Sequence, residues 1–325
     1  MSPKDDRSRS RAGLRGVQDR LAAGLIGHER LIERLMIAAL AGGHVLIEGA
    51  PGLAKTRAVN WLARAVGGSF ARVQCTPDLM PADLTGTAIF RPDTGGFEFV
   101  RGPVFHNVVL VDEINRAPPK VQSALLEAMA EGQVTSGGET HRLPDPFLAV
   151  ATQNPIEHEG TYPLPEAQLD RFLFHVALDL PGAADERRIL DLVEAESRGD
   201  GPGGSADAPA PIGPDMLLEA RREAMQVHLS PVLRDYIVRL VIATRGPELA
   251  EVVDYAVSPR GSLALAAAAK ARAWLDGRDH ALPDDVQALA GDALAHRLVL
   301  SWSARAEGRT ARALVAEILD RTHAL

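Results

Sequence analysis

The segment GAPGLAKT, residues 49–56, combines glycines, a lysine and a hydroxyl side chain. Phosphate groups bind where backbone N–H groups turn inward, a helix starts behind them and a cation lies close. Gly49 and Gly52 permit the tight backbone. Lys55 supplies the cation, and Thr56 supplies a hydroxyl for Mg²⁺. The residues predicted to contact nucleotide phosphates are therefore Gly49, Ala50, Pro51, Gly52, Leu53, Ala54, Lys55 and Thr56.

Ala54 departs from the phosphate-loop pattern G-x-x-x-x-G-K-[ST], which has glycine at this position. Because the helix is expected to begin here, a small Cβ costs much less than a β-branched side chain. An ordinary glycine-rich turn with a surface lysine is the alternative interpretation. The chain has only four lysines, so a chance placement of Lys55 in such a turn is the weaker interpretation.

A second polar group follows the apolar run VVLV at residues 108–111. An apolar strand that ends in carboxylates suits a magnesium site, with Asp112 holding the water shell of the ion and Glu113 polarising the attacking water. The two acids could instead stabilise the start of a helix predicted over residues 114–129. Together with the loop at residues 49–56, they favour binding and hydrolysis of ATP with Mg²⁺.

Asn154 follows a third apolar run, at residues 147–152. If this strand lies between the other two, Asn154 reaches the same edge of the sheet and can contact the γ-phosphate or the attacking water. A turn formed by Asn154 before Pro155 is the alternative interpretation.

Two arginines are further candidates for phosphate contacts. Arg171 precedes a strand predicted over residues 172–176, and its use as a finger from a second subunit is an inference. Ser258 and Pro259 have the types expected at an N-cap and a first helical position, which puts Arg260 in the first turn. Arg260 could then reach a phosphate across a cleft between two domains, although a surface arginine is an equally good interpretation.

These polar residues need a parallel sheet to position them. Short β-branched runs alternate with helical periodicity over residues 14–180, which predicts a doubly wound α/β domain. The candidate strands cover residues 44–48, 70–74, 108–112, 147–152 and 172–176. Two stretches look like insertions: about residues 76–105, and about residues 133–143, where a Ser-Gly-Gly turn predicts a β-hairpin.

Beyond residue 180 the pattern is helical, which predicts an all-helical second domain over residues 181–325. The Gly/Pro/Ala-rich residues 198–215 are predicted to form a flexible connection inside it. Residues 1–13 predict a disordered tail, without the apolar core of a signal peptide. No run approaches the ~18 apolar residues of a membrane span, so we expect a cytoplasmic protein without membrane insertion.

Composition narrows the classes of partner. The net charge of −8 and the pI near 5.7 argue against a nucleic-acid-binding surface, which normally shows as a basic face. Cys75 is the single cysteine, so no disulfide can form within the chain. The ten histidines show no HxxxH spacing and no Cys/His cluster, which argues against a zinc site held by the protein.

Four segments closely resemble the MoxR family of AAA+ ATPases. They are EGAPGLAKT at residues 48–56, QCTPDLMPADLTG at 74–86, DEINRAPPKVQSALLEAM at 112–129 and QNPIEHEGTYPLPEAQLDRF at 153–172. The resemblance runs from about residue 25 to about residue 300, and Ala54 matches the family's own loop. It implies a P-loop AAA+ doubly wound parallel sheet followed by a smaller all-helical lid domain.

The resemblance also implies roles for single residues. It assigns Lys55 and Thr56 to Walker A, Asp112 and Glu113 to Walker B, Asn154 to sensor 1, Arg171 to the arginine finger and Arg260 to sensor 2. The two insertions correspond to a helix-2 insert and a pre-sensor-1 hairpin. Family members act as chaperone-like remodellers in homo-oligomeric, hexameric rings. They often act beside a von Willebrand factor A domain protein, and some assist metal or cofactor insertion.

Two other classes of function stay open, the first being other motors of the helix-2-insert type. Rings with a helix-2 insert include nucleic-acid translocases and magnesium-chelatase-like motor subunits, but the net charge of −8 counts against nucleic acid. A nucleotide-gated scaffold that binds ATP and scarcely hydrolyses it is the second. The presence of Asp112, Glu113 and Arg171 argues against such a scaffold.

Overall fold

The computed structural model describes residues 3–93, 95–155, 160–198 and 211–324. Its strands are β1 (Val45–Glu48), β2 (Phe70–Gln74), β3 (Gly86–Arg91), β4 (Gly96–Arg101), β5 (Val108–Asp112), β6 (Gln133–Ser136), β7 (Glu139–Arg142), β8 (Leu148–Gln153), β9 (Phe174–Ala177), β10 (Val253–Tyr255) and β11 (Val299–Leu300). Its helices are α1 (Pro3–Gly24), α2 (Glu29–Ala41), α3 (Lys55–Ala65), α4 (Pro81–Thr85), α5 (Pro119–Glu131), α6 (Glu166–Leu169), α7 (Ala183–Ser197), α8 (Pro214–Met225), α9 (Pro231–Ala243), α10 (Pro259–Leu275), α11 (Pro283–Leu294), α12 (Trp302–Ala306) and α13 (Ala311–Arg321).

Five parallel strands form the central sheet in the order β2-β5-β8-β1-β9. β5 is buried along its whole length, as expected for an apolar strand with helices on both faces of its sheet. The predicted α/β class is confirmed, and β8 lies between β5 and β1 as the interpretation of Asn154 requires. Because the strands are parallel, their carboxyl ends meet at one edge of the sheet.

His44 is predicted as a strand residue, whereas β1 begins at Val45. Its buried imidazole instead joins neighbouring segments. Nδ1 accepts a hydrogen bond from the Ala149 amide at 3.0 Å, and Nε2–H donates to the Met129 carbonyl at 3.2 Å. Burial lowers the pKa of His44 to about 4, so the ring is neutral at physiological pH and can keep both hydrogen bonds.

Helix α1 differs from the disordered tail predicted over residues 1–13, because the helix already begins at Pro3. The side chains of Leu14 and Leu21 are buried on one of its faces. The Arg11 guanidinium lies over the Trp274 ring, 5.4 Å from the ring centroid. Contacts with the C-terminal helices therefore support a segment whose charged sequence alone predicts no structure.

Two antiparallel hairpins lie where the insertions are predicted. β3 pairs with β4 within residues 76–105, and β6 pairs with β7 within residues 133–143. Phe99 of the first hairpin stacks on His141 of the second, with ring centroids 3.9 Å apart and planes 6° apart. The two hairpins are therefore in direct contact.

One hydrophobic core crosses the domain boundary predicted at residue 180. It contains Leu35 of α2 together with Tyr236 of α9 and Trp274 of α10. A second core lies on the opposite face of the sheet, beneath α5. Residues 199–210, most of the predicted flexible connection, lie outside the described residues. Among the helices that the structure describes, none has both the length and the hydropathy of a membrane span.

Candidate active site

A cavity of about 380 Å³ lies at the edge of the sheet where β1, β5 and β8 end. It brings together five of the predicted polar and charged side chains, from three different strand ends. The residues that line it are Pro51, Gly52, Leu53, Ala54, Lys55, Thr56, Arg57, Arg72, Gln74, Asp112, Glu113, Thr152 and Asn154. Clefts at this edge are where open parallel sheets bind their ligands.

Ala54 adopts a left-handed conformation, with φ 51° and ψ 20°, immediately before α3 begins at Lys55. The expectation that a helical backbone accommodates its Cβ is therefore wrong. This position has the backbone that favours glycine, and an L-residue here costs about 1–2 kcal/mol. The Lys55 ammonium donates to the carbonyl oxygens of Gly49 and Ala50, at 2.5 and 3.3 Å, so it lies inside the loop.

Asp112, which is 6% exposed, is more deeply buried than the other acid of the site, Glu113. Its Oδ1 accepts a hydrogen bond from Thr152 Oγ1 at 3.1 Å. Its Oδ2 accepts from Arg72 Nε at 2.7 Å and lies 3.4 Å from Thr56 Oγ1. The hydroxyl of Thr56 and the carboxylate of Asp112 thus lie close enough to share one ion.

These two oxygen ligands fit Mg²⁺, which commonly takes one or two side chains and completes its shell with water and substrate phosphates. In the described part of the chain, no group of three or more His, Cys, Asp or Glu residues could hold a metal by itself. The donor set therefore suits a metal that arrives with phosphates. It does not suit a closed structural metal site.

Glu113 also has a left-handed backbone, with φ 56° and ψ 51°. Among the described residues, Ala54 and Glu113 are the two non-glycine residues with positive φ, and both line this cavity. Strained backbone of this kind concentrates at functional sites. The Glu113 amide donates to Thr152 Oγ1 at 2.9 Å, and the Glu113 carboxylate accepts from Arg116 at 2.9 Å.

Asn154 lies just beyond β8 and is 7% exposed. The loop amide of Gly49 donates to the Gln153 carbonyl at 3.2 Å, which ties the loop to the end of β8. On the other side, His175 Nε2 lies 2.8 Å from the Glu48 carboxylate. The hydrogen bond from His175 holds the pKa of Glu48 below its ordinary value.

Arg171 and Arg260 do not lie in this cavity. Both line a second cavity, of about 260 Å³, together with Gly42 and His44, which precede β1. The loop follows β1, and the four residues of that strand span roughly 13 Å. In this structure Arg260 therefore lies away from the loop of its own chain, and its contact with a phosphate stays a prediction.

The start of α10 holds Arg260 at this second cavity. Ser258 caps the helix as predicted, since its Oγ accepts from the Arg260 amide at 3.2 Å. The same Oγ donates to Asp170 Oδ2 at 3.1 Å, and the Arg260 guanidinium lies 3.8 Å from that oxygen. Asp170 is the chain neighbour of Arg171, whose own guanidinium donates to the Leu126 carbonyl at 2.5 Å.

Arg72 and Thr152 are contacts that the sequence analysis missed. Thr152 was assigned only to a strand, although a hydroxyl at a strand end beside Asn154 is a usable signal. Arg72 is an exposed residue of β2 next to the buried Val73, which by itself indicates only an outward-facing residue. Its contact with Asp112 depends on the pairing of β2 with β5, which spacing does not reveal.

Comparisons with known proteins agree with this geometry. Residues 44–174 match the model of the ATPase family associated with various cellular activities, and residues 249–318 match that of the AAA lid domain. A solved structure of a presumed ATPase from Cytophaga hutchinsonii has a TM-score of 0.87 at 41% identity. The match covers 98% of this chain and 97% of that one.

Curated relatives cover nearly the whole chain. Chaperone MoxR1 of Mycobacterium tuberculosis is 45% identical over 302 residues, which is 91% of this chain and 78% of that protein. YeaC of Bacillus subtilis is 45% identical over 91% of this chain and 90% of its own length. MoxR of Paracoccus denitrificans is 36% identical over 89% of each. This chain therefore belongs to the MoxR family of AAA+ ATPases.

Proposed function

We propose that this chain hydrolyses ATP to ADP and phosphate with the help of Mg²⁺. One observation carries the proposal, namely that five side chains of the required types line a single cavity at the carboxyl edge of the sheet. They are Lys55, Thr56, Asp112, Glu113 and Asn154. Together they meet the demands of phosphoryl transfer, which needs a phosphate cradle, a cation, a metal site and a base for water.

On the phosphate side, the loop over residues 49–56 offers backbone N–H groups at the start of α3. The Lys55 ammonium is close enough to exchange its carbonyl partners for phosphate oxygens. Thr56 and Asp112 would hold Mg²⁺. When bound, the ion neutralises charge that builds up on the phosphates.

On the water side, Glu113 is the proposed general base and Asn154 the group that orients the water. The left-handed backbone at Glu113 and the hydrogen bond from its amide to Thr152 fix this residue at the end of β5, and its carboxylate, which Arg116 contacts, belongs to the cavity lining. Asn154 is nearly buried, so its amide has little freedom once a ligand is bound. Both residues line the cavity that contains Asp112, where the γ-phosphate is expected.

The second cavity supports action in a homo-oligomer. Arg171 and Arg260 line one cavity, which lies before β1, whereas Lys55 lies in the loop after β1. We therefore assign both arginines to the ATP of a neighbouring subunit. Head-to-tail contacts of this kind close into rings, and the family resemblance implies a hexameric ring.

We propose that ATP hydrolysis drives a movement of the chain that acts on a client protein. The hairpin β3–β4 exposes large apolar side chains, among them Phe90 and Phe97, the latter 76% exposed. The relative from Mycobacterium tuberculosis is named a chaperone. We propose chaperone-like remodelling in the cytoplasm, with a von Willebrand factor A domain protein and metal or cofactor insertion as the partner and process to test first.

A magnesium-chelatase-like motor is the second candidate. The Arabidopsis thaliana protein named magnesium-chelatase subunit ChlI-1 is 28% identical over 74% of this chain. That match is weaker than those to the MoxR proteins, so it ranks behind remodelling. ATP hydrolysis is common to both.

The experiment compares ATP binding and hydrolysis by the purified chain with those of the Lys55→Ala variant. Loss of the ammonium should weaken ATP binding roughly 10- to 100-fold. Lys120→Ala is the matched control, since Lys120 is an exposed lysine outside the cavity. If the unchanged chain hydrolyses no ATP at any concentration, with or without a partner, the proposal fails.

A further inference from the structure

Arg72 contacts the acid that the proposed Mg²⁺ needs. Its Nε donates to Asp112 Oδ2 at 2.7 Å, and its Nη2 donates to Gln74 Oε1 at 3.4 Å. Gln74 lies opposite Asp112 in the register of β2 with β5. Arg72, two residues earlier, is on the same face of β2, so the pairing of the strands directs its guanidinium to the carboxylate.

The oxygen that Arg72 contacts is also the one nearest the Thr56 hydroxyl. Oδ2 of Asp112 lies 3.4 Å from Thr56 Oγ1, and these two groups form the proposed magnesium site. A guanidinium and a divalent cation at the same carboxylate oxygen repel each other. Because Asp112 is nearly buried, water screens this repulsion less than it would at the surface.

We propose that Arg72 is a resident counter-charge for Asp112, which Mg²⁺ must displace, so that the metal binds well only together with nucleotide phosphates. This inference rests on the proposed function and assigns a new role within the same site. The phosphates supply several negative charges in the cavity that Arg72 itself lines. A planar guanidinium binds phosphate oxygens well, so it has a second partner when it leaves the carboxylate.

Arg72 is thereby a positioning residue that couples metal binding to nucleotide binding. A purely structural ion pair between β2 and β5 is the competing explanation. However, those strands already pair along five residues each, and the Arg72 side chain is half-exposed. Asp112 keeps its hydrogen bond from Thr152 when Arg72 is replaced, so the variant should still fold.

The test measures binding of Mn²⁺, a spectroscopic substitute for Mg²⁺, by electron paramagnetic resonance in buffer without nucleotide. Arg72→Gln keeps a polar side chain and removes the charge. We expect it to bind Mn²⁺ at least about tenfold more tightly than the unchanged chain, because the positive charge that repels the metal ion is removed. Arg72→Lys should stay close to the unchanged chain.

Two controls make the result specific. Arg64→Gln changes the net charge equally, but Arg64 is exposed on α3 outside the cavity, so its Mn²⁺ affinity should not change. Adding Asp112→Asn to Arg72→Gln should abolish the gain. A second measurement, with a non-hydrolysable ATP analogue present, should show that the analogue raises Mn²⁺ affinity less in Arg72→Gln than in the unchanged chain.

Equal Mn²⁺ affinity of the unchanged chain and Arg72→Gln would overturn the inference. An equal gain in Arg64→Gln would also overturn it, because the effect would then reflect net charge alone. The first measurement contains no ATP, so its outcome is separate from the proposed function. If the chain hydrolyses ATP but Arg72→Gln binds Mn²⁺ no more tightly, only the counter-charge role of Arg72 is contradicted. If Arg72→Gln binds Mn²⁺ more tightly but the chain does not bind ATP, only the proposed ATP hydrolysis is contradicted.

Discussion

Asp170 and Arg297 form an ion pair at 2.8 Å that joins the segment before β9 to the C-terminal helices. Arg297 is almost fully buried, and its guanidinium also donates to backbone carbonyls on both sides of this contact, including that of Phe172 at 2.7 Å. Since Asp170 also contacts Ser258, this one carboxylate sets the position of Arg260 relative to Arg171. The relation explains why the two arginines lie together, away from the loop of their own chain.

Asp170→Asn should therefore destabilise the chain and reduce ATP hydrolysis together. The variant leaves the buried Arg297 charge without its counter-ion, and we expect a loss of about 3 kcal/mol in the free energy of unfolding. Urea unfolding measures it. Asp145→Asn is the control, because Asp145 is an exposed acid whose pair with Arg221 is long, at 3.4 Å. Similar small losses in both variants would contradict the anchoring role.

Mixing two inactive variants should restore activity if Arg171 acts on a neighbour. Glu113→Gln subunits lack the base and Arg171→Ala subunits lack the finger, so each alone should be inactive. In random mixed rings, about a quarter of the sites combine an intact Glu113 with an intact Arg171 from next door. ATP hydrolysis of equal mixtures measures this. A mixture no more active than its parents would show that both residues serve one chain.

Arg260→Ala should behave in mixtures as Arg171→Ala does, because the two arginines share one cavity. Equal amounts of Arg260→Ala and Glu113→Gln should regain activity. Equal amounts of Arg260→Ala and Arg171→Ala should not exceed the average of these two parents, since the two changes lie on the same face of each subunit. The opposite pattern would return Arg260 to the site of its own chain.

Much of the site could be predicted because its residues are close in sequence to strand ends. The loop, Asp112, Glu113 and Asn154 each follow an apolar run, and parallel strands bring such ends together. The position of Arg260 could not be predicted from the sequence. It depends on contacts between residues far apart in the chain, such as the pair of Arg297 with Asp170, which are 127 residues apart. Arg72 was missed for the same reason.

The left-handed backbone conformation of Ala54 also could not be predicted from the spacing of the motif. It leads to a test of its own. Ala54→Gly should raise the free energy of unfolding by about 1 kcal/mol, because glycine tolerates positive φ. Ala22→Gly, on the exposed face of α1, should lower it by about 1 kcal/mol, since glycine is unfavourable inside a helix. Urea unfolding of both variants checks the sign. A loss of stability in Ala54→Gly would contradict the left-handed conformation.

The pH dependence of stability should report on His44. Its pKa is lowered to about 4 in the folded chain, from 6.5, so the unfolded chain binds the proton more readily. The contribution of neutral His44 to the free energy of unfolding is fully present above pH 6.5. It is lost as the pH falls towards 4, by up to about 3 kcal/mol. His44→Gln should show a smaller loss over this range in urea unfolding. An unchanged pH profile would show that the ring is not neutral and buried.

Glu113, at the end of β5, is the proposed base on which ATP hydrolysis depends. The most direct measurement compares ATP binding and ATP hydrolysis by the unchanged chain and by Glu113→Gln. We predict that Glu113→Gln binds ATP with Mg²⁺ about as well but hydrolyses it roughly 100-fold or more slowly, because the water loses its base. If Glu113→Gln hydrolyses ATP at the rate of the unchanged chain, the cavity at the end of β5 is not the active site.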